Sequence, residues 1–138
     1  MKKLVQVPSP RKRGEGGRRP DEGPLDKIRD IVAALPETSE KLSHGSPTFW
    51  ARKRTFLSFV DNHHGDGRLA VWCAASKDEQ ETLVAADSKN FFVPPYVGPS
   101  GWIGIRLDRG LDWKVIASLI AEGHRFVLAK QGRRRSSV

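Results

Sequence analysis

The sequence predicts an α+β domain in which an antiparallel sheet of about six strands carries helices packed on one face, in the order α-β-β-β-β-α-β-β-α-α. Three observations predict it. An apolar stripe at helical spacing is followed by a series of short runs rich in Phe, Trp, Thr and Val, separated by turn residues. No strand–helix–strand unit with parallel-sheet patterning dominates. No internal repeat is visible.

The first helix rests on Leu25, Ile28, Ile31, Val32 and Leu35, which share one face and are stopped by Pro36. From Glu37 to Ala74 the pattern changes to strand-like runs broken at Gly45-Ser46-Pro47, at Arg52-Lys53-Arg54 and at Asn62 to Gly67, which suits four antiparallel strands. In the fourth, Leu69, Val71 and Cys73 alternate with Ala70, Trp72 and Ala74, so both faces are apolar and the strand belongs in the middle of the sheet. Ser76-Lys77-Asp78-Glu79 reads as a capping box opening a second helix that reaches about Ala86. Phe91-Phe92-Val93 is a short strand ended by Pro94-Pro95, and after the loop from Tyr96 to Gly101 the alternation of Ile103, Ile105 and Leu107 gives a sixth strand. Asp112 caps a third helix with Trp113, Ile116, Ala117 and Ile120 on one side and Leu111 placed to staple against Ile116. Gly123 ends that helix or bends it towards a last one from His124 to Ala129.

Charge divides the chain unevenly. The formal net charge is +8, yet residues 25–129 hold 13 Lys or Arg against 13 Asp or Glu. The excess lies in residues 1–24 and 130–138, where Pro, Gly, Arg and Ser leave too little apolar surface to offset the entropy of ordering. Both are expected as disordered basic tails around a single domain at 25–129. Cys73 has no second cysteine to pair with and lies in an apolar strand pattern, as expected for a buried thiol in a reducing compartment. Leu4 to Val7 is too short for the core of a signal peptide, and no later run is long enough to span a bilayer, so a cytoplasmic protein without membrane contact is expected.

Particular residues carry a family likeness. Leu35-Pro36-Glu37-Thr38, Gly45-x-Pro47-x-Phe49 with the basic turn and Phe56 after it, Phe91 to Tyr96 with its Pro-Pro-Tyr, Gly101-Trp102-Ile103-Gly104-Ile105 and Asp112-Trp113 resemble the MmcQ/YjbR family across roughly residues 25–129. The resemblance implies a bacterial protein with a double-wing, CyaY-like fold and DNA as partner. One departure stands out. The family's last helix tends to open with Ser-Tyr before its basic residue, whereas Gly123-His124 precede Arg125 here, so that helix is given no binding role.

The candidate DNA-binding residues are Arg52, Lys53 and Arg54 at the hairpin tip, where a wing can lay cations along phosphates, with Arg68 and Arg106 as extensions of the patch. A solvated turn is the plainer reading of the same charges. Trp50, Tyr96 and Trp102 offer stacking faces or a ligand pocket rimmed by the loop 94–101, against ordinary packing. A small-molecule or protein-interaction module built on the Tyr96 and Trp102 surface is therefore the rival to DNA binding. Asp61-x-His63-His64-x-Asp66 holds metal-capable groups, but adjacent histidines rarely face one ion and the glycines around them suit a plain turn, so no metal is expected. No nucleophile elbow, triad spacing or phosphate-cradling glycine motif occurs, so neither an enzyme nor a cofactor is expected.

Overall fold

The computed structural model describes residues 23–136. Helix α1 (Pro24–Ala33) leads into four strands, β1 (Thr38–Ser43), β2 (Ser46–Ala51), β3 (Arg54–Asp61) and β4 (Leu69–Cys73). Helix α2 (Lys77–Ala86), strands β5 (Phe91–Phe92) and β6 (Ile103–Arg106), and helix α3 (Trp113–Ser136) complete the chain. The six strands form one antiparallel sheet in the order β1-β2-β3-β4-β6-β5. The α+β class and the antiparallel sheet expected from the sequence are both present, and β4 is internal as its two apolar faces require. Among the described residues no helix is long and apolar enough to cross a membrane.

Local chemistry explains the element ends. Pro24 at the first helical position needs no amide partner, and Gly23 precedes it as the cap. The Ser76 hydroxyl accepts the Glu79 amide at 3.1 Å, and Asp112 Oδ1 accepts the Lys114 amide at 2.8 Å at the start of α3. The β1–β2 turn places His44 and Gly45 at positive φ, a conformation that glycine adopts without steric cost.

Cross-strand register sorts the side chains into two faces. Phe49, Leu57, Cys73 and Ile103 lie opposite one another in a row. The Cys73 thiol donates to Leu119 O of α3 at 3.6 Å, and Arg29 of α1 bonds Glu40 of β1, so α1 and α3 cover this side. The core is here, with Ile28, Phe49, Phe56, Leu57, Ile105, Ile116 and Ile120 fully buried. Phe56 is the extra residue of a β-bulge: Phe49 pairs with Leu57 and Trp50 with Thr55, leaving Phe56 unopposed. The bulge lets Phe56 and Leu57 both be buried, with the Phe56 ring edge-on to His124 of α3 at 5.3 Å.

α3 corrects one expectation. The chain does not break at Gly123 but runs as a single 24-residue helix. A Cβ at Gly123 would stand 2.6 Å from Ala74 O and 2.8 Å from Cys73 Sγ, so glycine is there to let the helix lie against the end of β4. Close approach, and not a turn, is the use this glycine serves. The helix also continues past residue 129, so residues 130–136, assigned to a tail by composition, are helical. The expected N-terminal tail, residues 1–22 in particular, lies outside the described residues, as do residues 137 and 138.

Candidate nucleic-acid interface

The β2–β3 hairpin tip is a tight turn at Arg52 and Lys53, with Arg52 at φ 56°. Its three cations are not equivalent. Arg52 Nε and Nη2 donate to the two oxygens of Glu37 at 2.6 and 3.0 Å, a bidentate pair that raises the guanidinium pKa and matches its charge. Lys53 and Arg54 have no carboxylate partner among the described residues, and both are exposed.

The tip does not stand free. Gln131 of α3 donates its Nε2 to Ala51 O at 2.8 Å and accepts the Lys53 amide on its Oε1 at 3.3 Å. One amide side chain thus bonds both sides of the turn and fixes it against the last turns of the helix. Those turns read Lys130-Gln131-Gly132-Arg133-Arg134-Arg135 in sequence. Lys130 is exposed, with its ammonium over the Phe126 ring at 4.7 Å. The wing tip and the basic end of α3 are therefore one contiguous region, which separate readings of a tip and a tail could not show. The signal in the sequence was Gln131, the one long uncharged polar side chain within the basic run.

Arg68 and Arg106 do not extend this region. β3 is eight residues long, with the tip at Arg54 and the Asp61–Leu69 pair at its far end, so Arg68 is about 23 Å away at ~3.3 Å per residue. Arg106 pairs with Ala70, near that far end. Both arginines also have local partners. Arg106 makes a bidentate pair with Asp108 at 2.9 and 3.0 Å, which holds the Asp108 carboxyl below its usual range. The Arg68 guanidinium stacks on the Phe92 ring at 4.1 Å and stands 3.9 Å from Asp66. Strand order and side-chain alternation suggest them as extensions of the patch, but register decides which end of the sheet a residue occupies, and it places both away from the tip.

The expected trio Trp50, Tyr96 and Trp102 is not assembled either. Trp50 lies on β2 beneath the Lys41 ammonium at 5.6 Å, and Trp102 is half-buried against the core with its carbonyl accepting from Gln80. Tyr96 instead joins Trp72 at 6.4 Å and His63 at 5.8 Å, and His63 is 5.0 Å from Trp72. The sequence pattern marks Trp72 only as a strand residue and His63 as a turn residue with metal-capable neighbours, and neither reading points to Tyr96. Among the described residues no three His, Cys, Asp or Glu side chains stand close enough to share a metal ion. Cys73 is fully buried, and burial pushes its thiol pKa far up, away from the reactive thiolate.

Comparison with known proteins bears on the fold and the family. No curated protein matches the chain. The crystal structure of a Deinococcus radiodurans protein with a DUF419 domain is similar to it at a TM-score of 0.63, with 18% identity over 78% of this chain and 80% of that one. At that identity the likeness concerns the fold alone. The YjbR family model matches residues 33–126, more than half of the chain, running from the end of α1 through the tip and well into α3. The resemblance carried by Gly45-x-Pro47-x-Phe49, Phe91 to Tyr96 and Asp112-Trp113 is thereby shown, and the chain belongs to the YjbR family.

Proposed function

We propose that this protein binds nucleic acid through phosphate contacts from Lys53, Arg54 and the basic end of α3, with Arg52 held out of the contact by Glu37. The observation that carries the reading is the Gln131 bridge, which fixes the hairpin tip to a helix end that is itself rich in Lys and Arg. Phosphate contacts are electrostatic and indifferent to sequence, so the binding is non-specific and weakens with salt. On this reading α3 supplies the surface together with the wing, which replaces the expectation that this helix has no binding role.

The test is a duplex-DNA titration of the full chain at several salt concentrations. Each phosphate neutralised by the protein adds roughly 0.9 to the dependence of log affinity on log salt, so Lys53→Glu with Arg54→Glu is expected to flatten that slope by about 2. Arg68→Glu with Arg106→Glu is expected to leave the slope unchanged. Equal effects from the two pairs would overturn the reading.

A further inference from the structure

The side of the sheet opposite α1 and α3 is organised differently. Register places Lys41, Thr48, Trp50, Ser58, Trp72, Gly104 and Phe92 on it, across all six strands. Phe92 lies flat over Gly104, where a Cβ would meet its ring at 2.4 Å. The Arg68 guanidinium covers Phe92, and Lys41 sits over Trp50. Aromatic rings with cations beside them thus run across this face, while α2 bonds the loop beside it through Gln80.

Two connections from opposite ends of the sheet fold over this face and meet at Trp72. The 62–67 loop arrives from the Asp61–Leu69 end and brings His63; it places Asn62 at φ 56° and His64 at φ 49°, followed by Gly65 and Gly67 in the same left-handed region. The 94–101 loop arrives from the Ile103 end and brings Tyr96, itself at φ 66°. Buried Gln80 holds that loop by donating to Gly98 O at 2.8 Å and to Trp102 O at 2.6 Å. Prolines at 94, 95 and 99 stiffen it further. The outcome is a tyrosine 73% exposed, on strained backbone, presented to water by a rigid loop. Backbone strain of this kind persists only where its surroundings over-determine it.

From this arrangement we propose that this side of the molecule is a stacking platform for unpaired bases of single-stranded nucleic acid, with Tyr96 the principal ring and Trp50 a second. Three features favour this occupant over a neutral aromatic ligand. The face carries more than one ring, so successive bases have places to stack, and stacking is tolerant of base identity. Lys41 lies exposed on the same face beside Trp50, where its ammonium complements phosphate. Continuing past Trp50 along β2 leads to the Lys53 and Arg54 tip, so a strand crossing the face leads into the cationic corner. The proposal rests on the nucleic-acid reading above and names the form of nucleic acid that the sheet face takes.

Fluorescence anisotropy with a labelled thymidine oligonucleotide of about 15 nucleotides, within the range of single-strand site sizes, tests it beside a duplex of the same length. Tyr96→Gly removes the ring and suits the left-handed backbone, so the fold is retained; Tyr96→Phe keeps the ring. The expected result is that Tyr96→Gly weakens single-strand binding about tenfold or more, leaves duplex binding unchanged, and that Tyr96→Phe behaves as the parent chain. Unchanged single-strand binding in Tyr96→Gly, or an equal loss for both probes, overturns the platform while the phosphate-binding reading stands. Failure of the parent chain to bind either probe overturns both.

Discussion

Two ends of one sheet carry arginines at similar density and use them in opposite ways. At the far end Arg106 is held by Asp108 and Arg68 is shared between Asp66 and Phe92, so the cations there brace the β3–β4 and β6 connections. At the tip only Arg52 is matched, and Lys53, Arg54 and Lys130 face solvent with no carboxylate against them among the described residues. The difference teaches that a charge count does not make a binding surface. An arginine in a bidentate pair has already exchanged its water for a carboxylate, and a phosphate must displace that partner to gain it.

The largest effect on this contrast should come from the helix that joins the sheet to its cationic corner. Gly123→Val sets a side chain against Ala74 O and Cys73 Sγ, which must push α3 from β4. A loss of about 3 kcal/mol in urea unfolding is expected, the upper range for overpacking, with duplex affinity falling alongside.

Gln131→Ala comes next, at about 1–2 kcal/mol, because it deletes both bonds to the tip and leaves Ala51 O without that donor. Its sharper readout is affinity: the tip and the helix end no longer share one rigid frame, so duplex binding weakens although no cation has been removed.

Glu37→Gln acts in the opposite direction. Releasing Arg52 adds one cation to the corner, and the salt slope is expected to steepen by about 0.9. A slope that does not change would show that Arg52 already contacts phosphate in the parent chain.

The smallest effect belongs to the far end. Arg106 lowers the folded-state pKa of Asp108, so the pair contributes stability above the carboxyl's unfolded value, near 3.9, and that contribution is lost as pH falls through the folded value. Asp108→Asn should therefore lower the unfolding free energy at neutral pH, with the difference from the parent chain vanishing in strong acid. It should not alter duplex binding at either salt extreme.

Much of this architecture was legible because its punctuation is chemical. Gly45, the Asn62–Gly67 run, Ser76 and Asp112 each satisfy a local backbone requirement, and the elements begin or end at them. What escaped depends on where elements meet. Gly123 has two possible uses, turn or close approach, and only the packing of α3 on β4 chooses between them. The Phe56 bulge carries no glycine to announce it. The site was less legible than the fold for the same reason. The basic tip was visible, but its match to Glu37, its bridge through Gln131 and the remoteness of Arg68 and Arg106 follow from register. Likewise Trp72 and His63 are apart in sequence and become neighbours of Tyr96 only because two loops fold over one face.

The contrast between the two ends is tested most directly by amide NMR of the full chain titrated with duplex DNA of arbitrary sequence. Shifts are expected to grow together at residues 52–54 and 130–135 and to stay small at 66–69 and 105–109. Shifts centred on Arg68 and Arg106, with the tip unmoved, would contradict that contrast.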